Sequence, residues 1–139
     1  MDLVSARPAF NLWNAQWPIL TATPPLPPAK FVYDEPGRIG SAIESLVSPG
    51  CVVSGGRVRR SVLSPRVDIH TGSEVDECVL FDGVDVVRGA VLRRAIIDKG
   101  VLVPPGVSIG VDHGADRARG FFVSDSGIVV IGKGQTIPA

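Results

Sequence analysis

Large aliphatic residues recur along residues 46–109 at intervals of six, six and five, so the pattern repeats after every third interval. Every position of this series is Leu, Ile or Val: Leu46, Val52, Val58, Leu63, Ile69, Val75, Leu80, Val86, Leu92, Ile97, Val103 and Ile109. A helical period of 3.6 does not generate this spacing, and the segment is rich in glycine and β-branched residues. The pattern therefore predicts a triangular solenoid, with three short strands per coil and successive coils stacked in parallel.

A second series lies between these positions and contains only small residues or valine. It runs through Gly50, Gly56, Ser61, Val67, Ser73, Cys78, Val84, Ala90, Ala95, Val101 and Val107. A third series consists of glycines spaced by one full period, namely Gly55, Gly72, Gly89 and Gly106, which suits a corner that needs a positive φ. Together the three series predict about four coils over residues 44–110, with the large aliphatic side chains inside.

The flanking segments have a different composition. Residues 1–43 hold seven of the twelve prolines, so we expect an extended linker or docking segment rather than an SH3-type ligand. Trp13 and Trp17 in this segment are expected to pack against an apolar surface, within this chain or outside it. Residues 111–139 predict a polar loop followed by a β-hairpin, in which FFV and IVVI flank the turn SDSG.

Composition narrows the classes of partner. The chain has 139 residues, of which 45% are hydrophobic, and its 14 basic and 14 acidic residues leave a formal net charge of +0. This balance gives no indication of a nucleic-acid partner, and no apolar run is long enough to span a membrane. Two cysteines do not make a disulfide framework. We therefore expect a cytoplasmic protein that binds neither nucleic acid nor membrane.

Few residues suit catalysis or metal binding. His70 and His113 cannot complete a three-histidine zinc site within one chain, and neither Cys51 nor Cys78 has metal-ligand spacing, so we expect no metal. His70 follows an inward position and should point outward, where it is a solvated corner residue or a general base. The arginines of SGGRVRRS (54–61) are interpreted as a solvated coil corner rather than an anion site.

Three cations are candidates for binding an anion. Arg88 and Lys99 lie less than one period apart, which places them on neighbouring coils or adjacent faces, and Lys133 follows the terminal hairpin. If that hairpin folds back onto the solenoid, the three side chains converge on a phosphate, which arginine binds bidentately and lysine as a point charge. Arg93 and Arg94 are interpreted as solvated.

Several stretches together resemble the C-terminal part of bacterial ADP-glucose pyrophosphorylases (glucose-1-phosphate adenylyltransferases), which belongs to the hexapeptide-repeat family. They are the opening MDL, LPPAKF (26–31), SLVSPGCVVSGG (45–56), SVLSPRV (61–67), RRAIIDKGVLVPPGVSIG (93–110) and DRARGFFVSDSGIVV (116–130). The resemblance implies an all-β fold, a left-handed parallel β-helix of about four coils with an extended Pro-rich N-terminal segment and a C-terminal β-hairpin. The handedness comes from this resemblance and not from the spacing.

The family makes ADP-glucose from ATP and glucose 1-phosphate for glycogen synthesis, using Mg²⁺ and an N-terminal nucleotidyltransferase domain. The Gly-rich loop and metal-binding aspartates of that domain are missing from this sequence, so we expect no catalytic residue and no cofactor here. The resemblance implies a regulatory and oligomerisation domain whose partners are the catalytic domain, further subunits of a homotetramer, and a phosphorylated sugar or other anionic effector. It assigns effector binding to Arg88, Lys99 and Lys133.

Two other interpretations stay open at this point. A free-standing hexapeptide-repeat acyltransferase or binding module would have the same coils and would use His70. A split enzyme would keep its catalytic half on a separate chain.

Overall fold

The computed structural model describes residues 2–9, 11–18, 22 and 24–138, so Met1 of the opening MDL lies outside the described residues. The chain opens with a 3₁₀ turn at Asp2–Val4, and its one described α-helix, α1, spans His113–Ala118. All other described elements are short strands. In chain order they are β1 (Lys30–Val32), β2 (Asp34–Glu35), β3 (Arg38–Ile39), β4 (Ser41–Ile43), β5 (Leu46–Val47), β6 (Val52–Ser54), β7 (Arg57–Arg59), β8 (Val62–Leu63), β9 (Asp68–Ile69), β10 (Glu74–Asp76), β11 (Val79–Leu80), β12 (Asp85–Val86), β13 (Val91–Arg93), β14 (Ala95–Ile97), β15 (Leu102–Val103), β16 (Ser108–Ile109), β17 (Phe122–Val123) and β18 (Val129–Ile131).

Three parallel sheets form the sides of a prism. Sheet I has the order β1-β6-β9-β12-β15, sheet II has β4-β7-β10-β13-β16, and sheet III has β5-β8-β11-β14-β18 with β17 at its edge. The chain passes from sheet III to sheet I at the first corner, from I to II at the second, and from II to III at the third. The predicted all-β solenoid of about four coils is confirmed.

The core lies inside the prism and follows the predicted repeat over three coils. Leu63 pairs with Leu80, and Leu80 pairs with Ile97, each one period further along the chain, and all three are fully buried. The small residues of the second series are also buried where the sheets meet, as at Ser61 and Ala95. Identical positions therefore stack on one another, about 4.8 Å apart, and bury one continuous aliphatic column.

The first coil departs from the predicted register. Val53, rather than Val52, pairs with buried Ile69, and Val47, rather than Leu46, pairs with buried Leu63. The predicted inward positions Leu46 and Val52 were wrong, since both lie on the outer face. The cause is a corner one residue shorter than in later coils. There a Cβ on Gly56 would lie 2.6 Å from a methyl group of Ile69, so the chain turns without side chains.

The sheets extend beyond residues 44–110 on both sides. Strand β1 pairs with β6 and β4 pairs with β7, although both come from residues 1–43, and β18 adds to sheet III from the C-terminal hairpin. Helix α1 forms within the segment that the sequence predicts as a loop. Its N-cap Asp112 accepts hydrogen bonds from the backbone N–H groups of Gly114 (2.8 Å) and Ala115 (3.1 Å), which stabilises even a short helix.

The third corner carries an alternating column of charges. Glu44, Arg60, Glu77 and Arg94 all adopt a positive φ between 44° and 54° at equivalent positions. Arg60 lies 3.5 Å from Glu77, and Arg94 lies 3.8 Å from the same carboxylate. Arg94 also donates to the carbonyl of Ser126 at 2.6 Å, so its role includes holding the hairpin turn and is not merely solvation.

Candidate functional site

Lys99 and Lys133 occupy the same position of the first corner on neighbouring coils. Ile97 pairs with Ile131, and each lysine follows two residues later, so the two lysines are adjacent along the prism edge. Both side chains are exposed, and neither makes an ion pair with any residue that the structure describes. Two cations one coil apart, neither held in an ion pair by a described residue, form a local positive centre.

Asp98 fixes the backbone beneath both lysines. Its Oδ1 accepts the N–H of Lys99 at 2.7 Å, and its Oδ2 accepts the N–H of Lys133 at 3.3 Å. The backbone N–H of Asp98 in turn donates to the carbonyl of Ile131 at 2.9 Å. The carboxylate therefore ties the returning C-terminal strand to the fourth coil and places the two lysines side by side.

Arg88 does not join this pair. It lies at the second corner, after strand β12, whereas Lys99 lies at the first corner, before strand β15. Sheet I separates the two corners, and the Arg88 side chain is exposed. Of the three predicted cations, the structure brings together Lys99 and Lys133 and leaves Arg88 on the next edge of the prism.

Arg66 is a cation of the first corner that the sequence interpretation missed. It has a φ of 59° at a turn position that is glycine in the later coils, as at Gly83 and Gly100. Its guanidinium pairs with Asp82, and Arg66, Asp82 and Lys99 line one groove with Ala22 of the Pro-rich segment. The period of the repeat was the available signal, because Arg66 precedes Gly100 by two periods.

The two histidines have separate environments. His70 Nε2 lies 2.9 Å from Asp85 Oδ1 on the outer face of sheet I. Partial burial and the charge of Asp85 raise the pKa of the neighbouring Asp68. His113 is the first residue of α1 and lies against Gly127 in the hairpin turn, where a Cβ would be 2.8 Å from its ring.

The cysteines are packing residues of the prism. Burial raises the pKa of Cys78 to about 12 and also raises that of Cys51, which takes the buried place predicted for Gly50 in the first coil.

Across the described residues, no group of three or more His, Cys, Asp or Glu side chains is placed to hold a metal ion. The described part of the chain likewise contains no helix with the length and apolar character needed to cross a membrane.

Sheet III presents an apolar outer face. Its outward positions are in direct register from one end of the sheet to the other: Leu46, Val62, Val79, Ile96, Val130 and Phe122. We call this set the outer apolar column. On sheet II the equivalent outward positions include Arg57 and Glu74, so the apolar character belongs to one side of the prism. Trp13 and Trp17 are exposed as well, at 69% and 82%.

Comparison with known proteins agrees with this architecture. Residues 27–131 match the family described as "GlmU-like, C-terminal hexapeptide". The chain is 58% identical over 137 residues to a glucose-1-phosphate adenylyltransferase of Frankia casuarinae. The matched region covers 99% of this chain and 33% of that protein. Proteins of the same name from Parafrankia sp. and Arthrobacter sp. are 55% and 52% identical over 138 residues, with 99% of this chain and 33% and 30% of those proteins covered.

The chain thus spans about a third of the length of the curated relatives it matches. The match runs through the Pro-rich segment, all coils and the terminal hairpin. From its parallel coils and these similarities, the chain belongs to the GlmU-like, C-terminal hexapeptide family, and it is similar to the C-terminal third of glucose-1-phosphate adenylyltransferases.

Proposed function

We propose that this chain acts as the regulatory and oligomerisation domain of a glucose-1-phosphate adenylyltransferase in cytoplasmic glycogen synthesis, and that it binds an anionic effector at the first corner. The observation that carries the effector site is the pair Lys99 and Lys133, placed on adjacent coils by Asp98 and free of ion pairs among the described residues. Two ammonium groups one coil apart suit a phosphate, whose charge exceeds that of a carboxylate.

Arg66 contributes a third positive charge to the same edge of the prism, and Arg88 contributes an outer contact from the next corner. Since Arg88 lies across sheet I from Lys99, it reaches the effector only where a ligand or a neighbouring subunit spans that sheet. Substitution of Arg88 should therefore weaken binding less than substitution of Lys99.

The catalytic reaction belongs to a partner domain in this proposal. Magnesium and ATP would bind there, in the part of the relatives that this chain, spanning about a third of their length, does not match. The outer apolar column supports docking of such a domain, since an apolar stripe along one side of a prism is the kind of surface that marks a protein interface. Assembly into a homotetramer would use the remaining surfaces.

The test combines this chain with a separately expressed nucleotidyltransferase domain and measures ADP-glucose formation. Fructose 1,6-bisphosphate, glucose 6-phosphate, AMP and phosphate are added in turn, and a thermal shift is recorded on this chain alone. Lys99→Ala and Lys133→Ala should abolish the response to the active effector. Lys30→Ala, which removes an exposed lysine at the opposite end of the solenoid, should leave it unchanged.

The docking part of the proposal has its own readout. Val79→Asp and Ile96→Asp place charges on the outer apolar column without touching the first corner. They should prevent co-elution with the catalytic domain while this chain keeps its thermal stability. Failure of the unaltered chain to bind any anion or the catalytic domain would refute the proposed function.

A free-standing acyltransferase is the second candidate, and one contact favours it. His70 is oriented by Asp85 at 2.9 Å on an open face, an arrangement that general-base histidines use. Acetyl-CoA turnover by this chain alone, lost in His70→Ala and retained in Lys99→Ala, would establish that activity instead.

A further inference from the structure

Asp82 lies between the cations of the first corner. It occupies the same turn position as Pro65 on the preceding coil and Lys99 on the following one. The backbone confirms this stacking, because the N–H of Gly83 donates to the carbonyl of Pro65 at 3.0 Å and that of Gly100 donates to the carbonyl of Asp82 at 2.9 Å. A carboxylate therefore stands at the centre of the edge that Arg66 and the lysines make positive.

The two carboxylate oxygens of Asp82 differ. Oδ2 pairs with the guanidinium of Arg66, whereas Oδ1 is buried and receives no hydrogen bond from any described residue. The guanidinium of Arg66 is therefore already paired with a carboxylate of this chain, Asp82. Both side chains are partly open to solvent, at 50% for Arg66 and 32% for Asp82, so the pair is weak enough to exchange for another anion.

The backbone conformation of Arg66 also indicates that its side chain is needed at this corner. Its left-handed conformation is one that the later coils give to glycine, so placing an arginine there costs conformational energy. Strain of this kind persists where a side chain is needed at that position. The groove beside it is lined by Arg66, Asp82 and Lys99 and is walled by Ala22 and Pro24 of the Pro-rich segment.

We infer that Asp82 is a resident counter-ion of the first corner, which occupies Arg66 and sets the anion affinity of the site. This inference rests on the proposed effector site. An incoming phosphate must take Arg66 from Asp82 and approach Lys99 against the field of that carboxylate. Asp82 is thus an affinity-determining residue, and a ligand binds only if its phosphate outcompetes a carboxylate already in place.

The test measures binding of inorganic phosphate and of glucose 6-phosphate to the full 139-residue chain by calorimetry at low ionic strength. Asp82→Asn keeps the size of the side chain and removes its charge, and it should tighten binding at least ~5-fold, as expected for loss of a nearby partly exposed charge. Asp125→Asn removes the same charge from the exposed hairpin turn and should leave binding unchanged.

A double substitution isolates the part played by Arg66. Arg66→Gly restores the residue type found at this turn position in the later coils, so the chain is expected to fold. The gain from Asp82→Asn should shrink in the Arg66→Gly background, because there is no longer an arginine to release. An undiminished gain in that background would overturn the inference.

The remaining outcomes separate this inference from the proposed function. If the unaltered chain binds phosphate and loses it in Lys99→Ala, but Asp82→Asn binds no more tightly, the site stands and Asp82 is not its counter-ion. If Asp82→Asn binds more weakly than the unaltered chain, Asp82 positions Arg66 for the ligand, and the inference is overturned. If neither protein binds phosphate, the proposed effector site fails together with the inference.

Discussion

The ion pair between Asp116 and Arg119 closes the C-terminal end of the prism, and removing it should destabilise the chain strongly. Asp116 is fully buried. Its Oδ1 accepts from the Arg119 guanidinium at 2.7 Å, and its Oδ2 accepts from the N–H of Gly110 at 3.0 Å. Arg119 also donates to the carbonyl of Ser108 at 2.6 Å, so helix α1 is fastened to the last strand of sheet II.

The loss of unfolding free energy in Asp116→Ala is set by the groups that lose their partner. The variant loses the acceptor of a backbone N–H and leaves a guanidinium that is only 23% exposed without its counter-charge. Breaking one side of a buried ion pair costs about 3–5 kcal/mol, and the partial exposure of Arg119 favours the lower end, about 3 kcal/mol. That is a large part of the roughly 5–15 kcal/mol that is typical of a small domain.

Urea unfolding followed by far-ultraviolet circular dichroism measures this free energy. The double variant Asp116→Ala with Arg119→Ala should cost less than the sum of the single variants, because neither charge is then left alone. Hydrogen exchange should show early loss of protection in β16 and little change in β5, at the other end of the prism. A loss below about 1 kcal/mol for Asp116→Ala, or strict additivity, would refute the role assigned to this pair.

Three further predictions test the core, the corner and the buried thiols. Leu80→Ala should cost about 3 kcal/mol by leaving a cavity in the prism, whereas Leu102→Ala on the outer face should cost less than about 0.5 kcal/mol in the same urea assay. Arg66→Gly should raise stability by up to about 1 kcal/mol, because relief of the left-handed backbone outweighs an exposed ion pair; an equal gain in the strand control Arg59→Gly would contradict this reason. Cys78, whose pKa burial raises to about 12, should resist a thiol reagent until urea is added. Because the unfolded thiol releases its proton near pH 9, stability should fall as pH rises above 9, and Cys78→Ala should make that slope shallower, with buried Cys51 supplying the remainder.

Much of the fold was predictable because a solenoid repeats the same strand–corner unit in every coil. Leu63, Leu80 and Ile97 each face the same interior, so the period of the sequence appears directly as strand pairing. The first coil was misplaced because Gly55 and Gly56 turn the corner in one residue fewer. No periodic pattern reports the length of a single corner.

The candidate site was predictable only in part, since a residue's place in the period had to be combined with the path of the hairpin. Lys133 follows Lys99 by two full periods, a spacing that in a regular solenoid would place the two lysines at the same corner but two coils apart. It does not show that strand β18 returns to pair with β14, which is what makes them neighbours. The prediction that Arg88 joins the two lysines was wrong, because its position in the period lies at the second corner and theirs at the first.

The sequence by itself determined the repeat, the triangular section, the aliphatic interior and the resemblance to hexapeptide-repeat proteins, because each of these follows from side-chain size at fixed intervals. Only the tertiary structure decided which charges meet. Asp98 beneath Lys133 and Asp82 against Arg66 are contacts between separate coils of the chain. Charge contacts of this kind depend on distances of a few ångströms across coils, and a one-residue change at a single corner is enough to rearrange them.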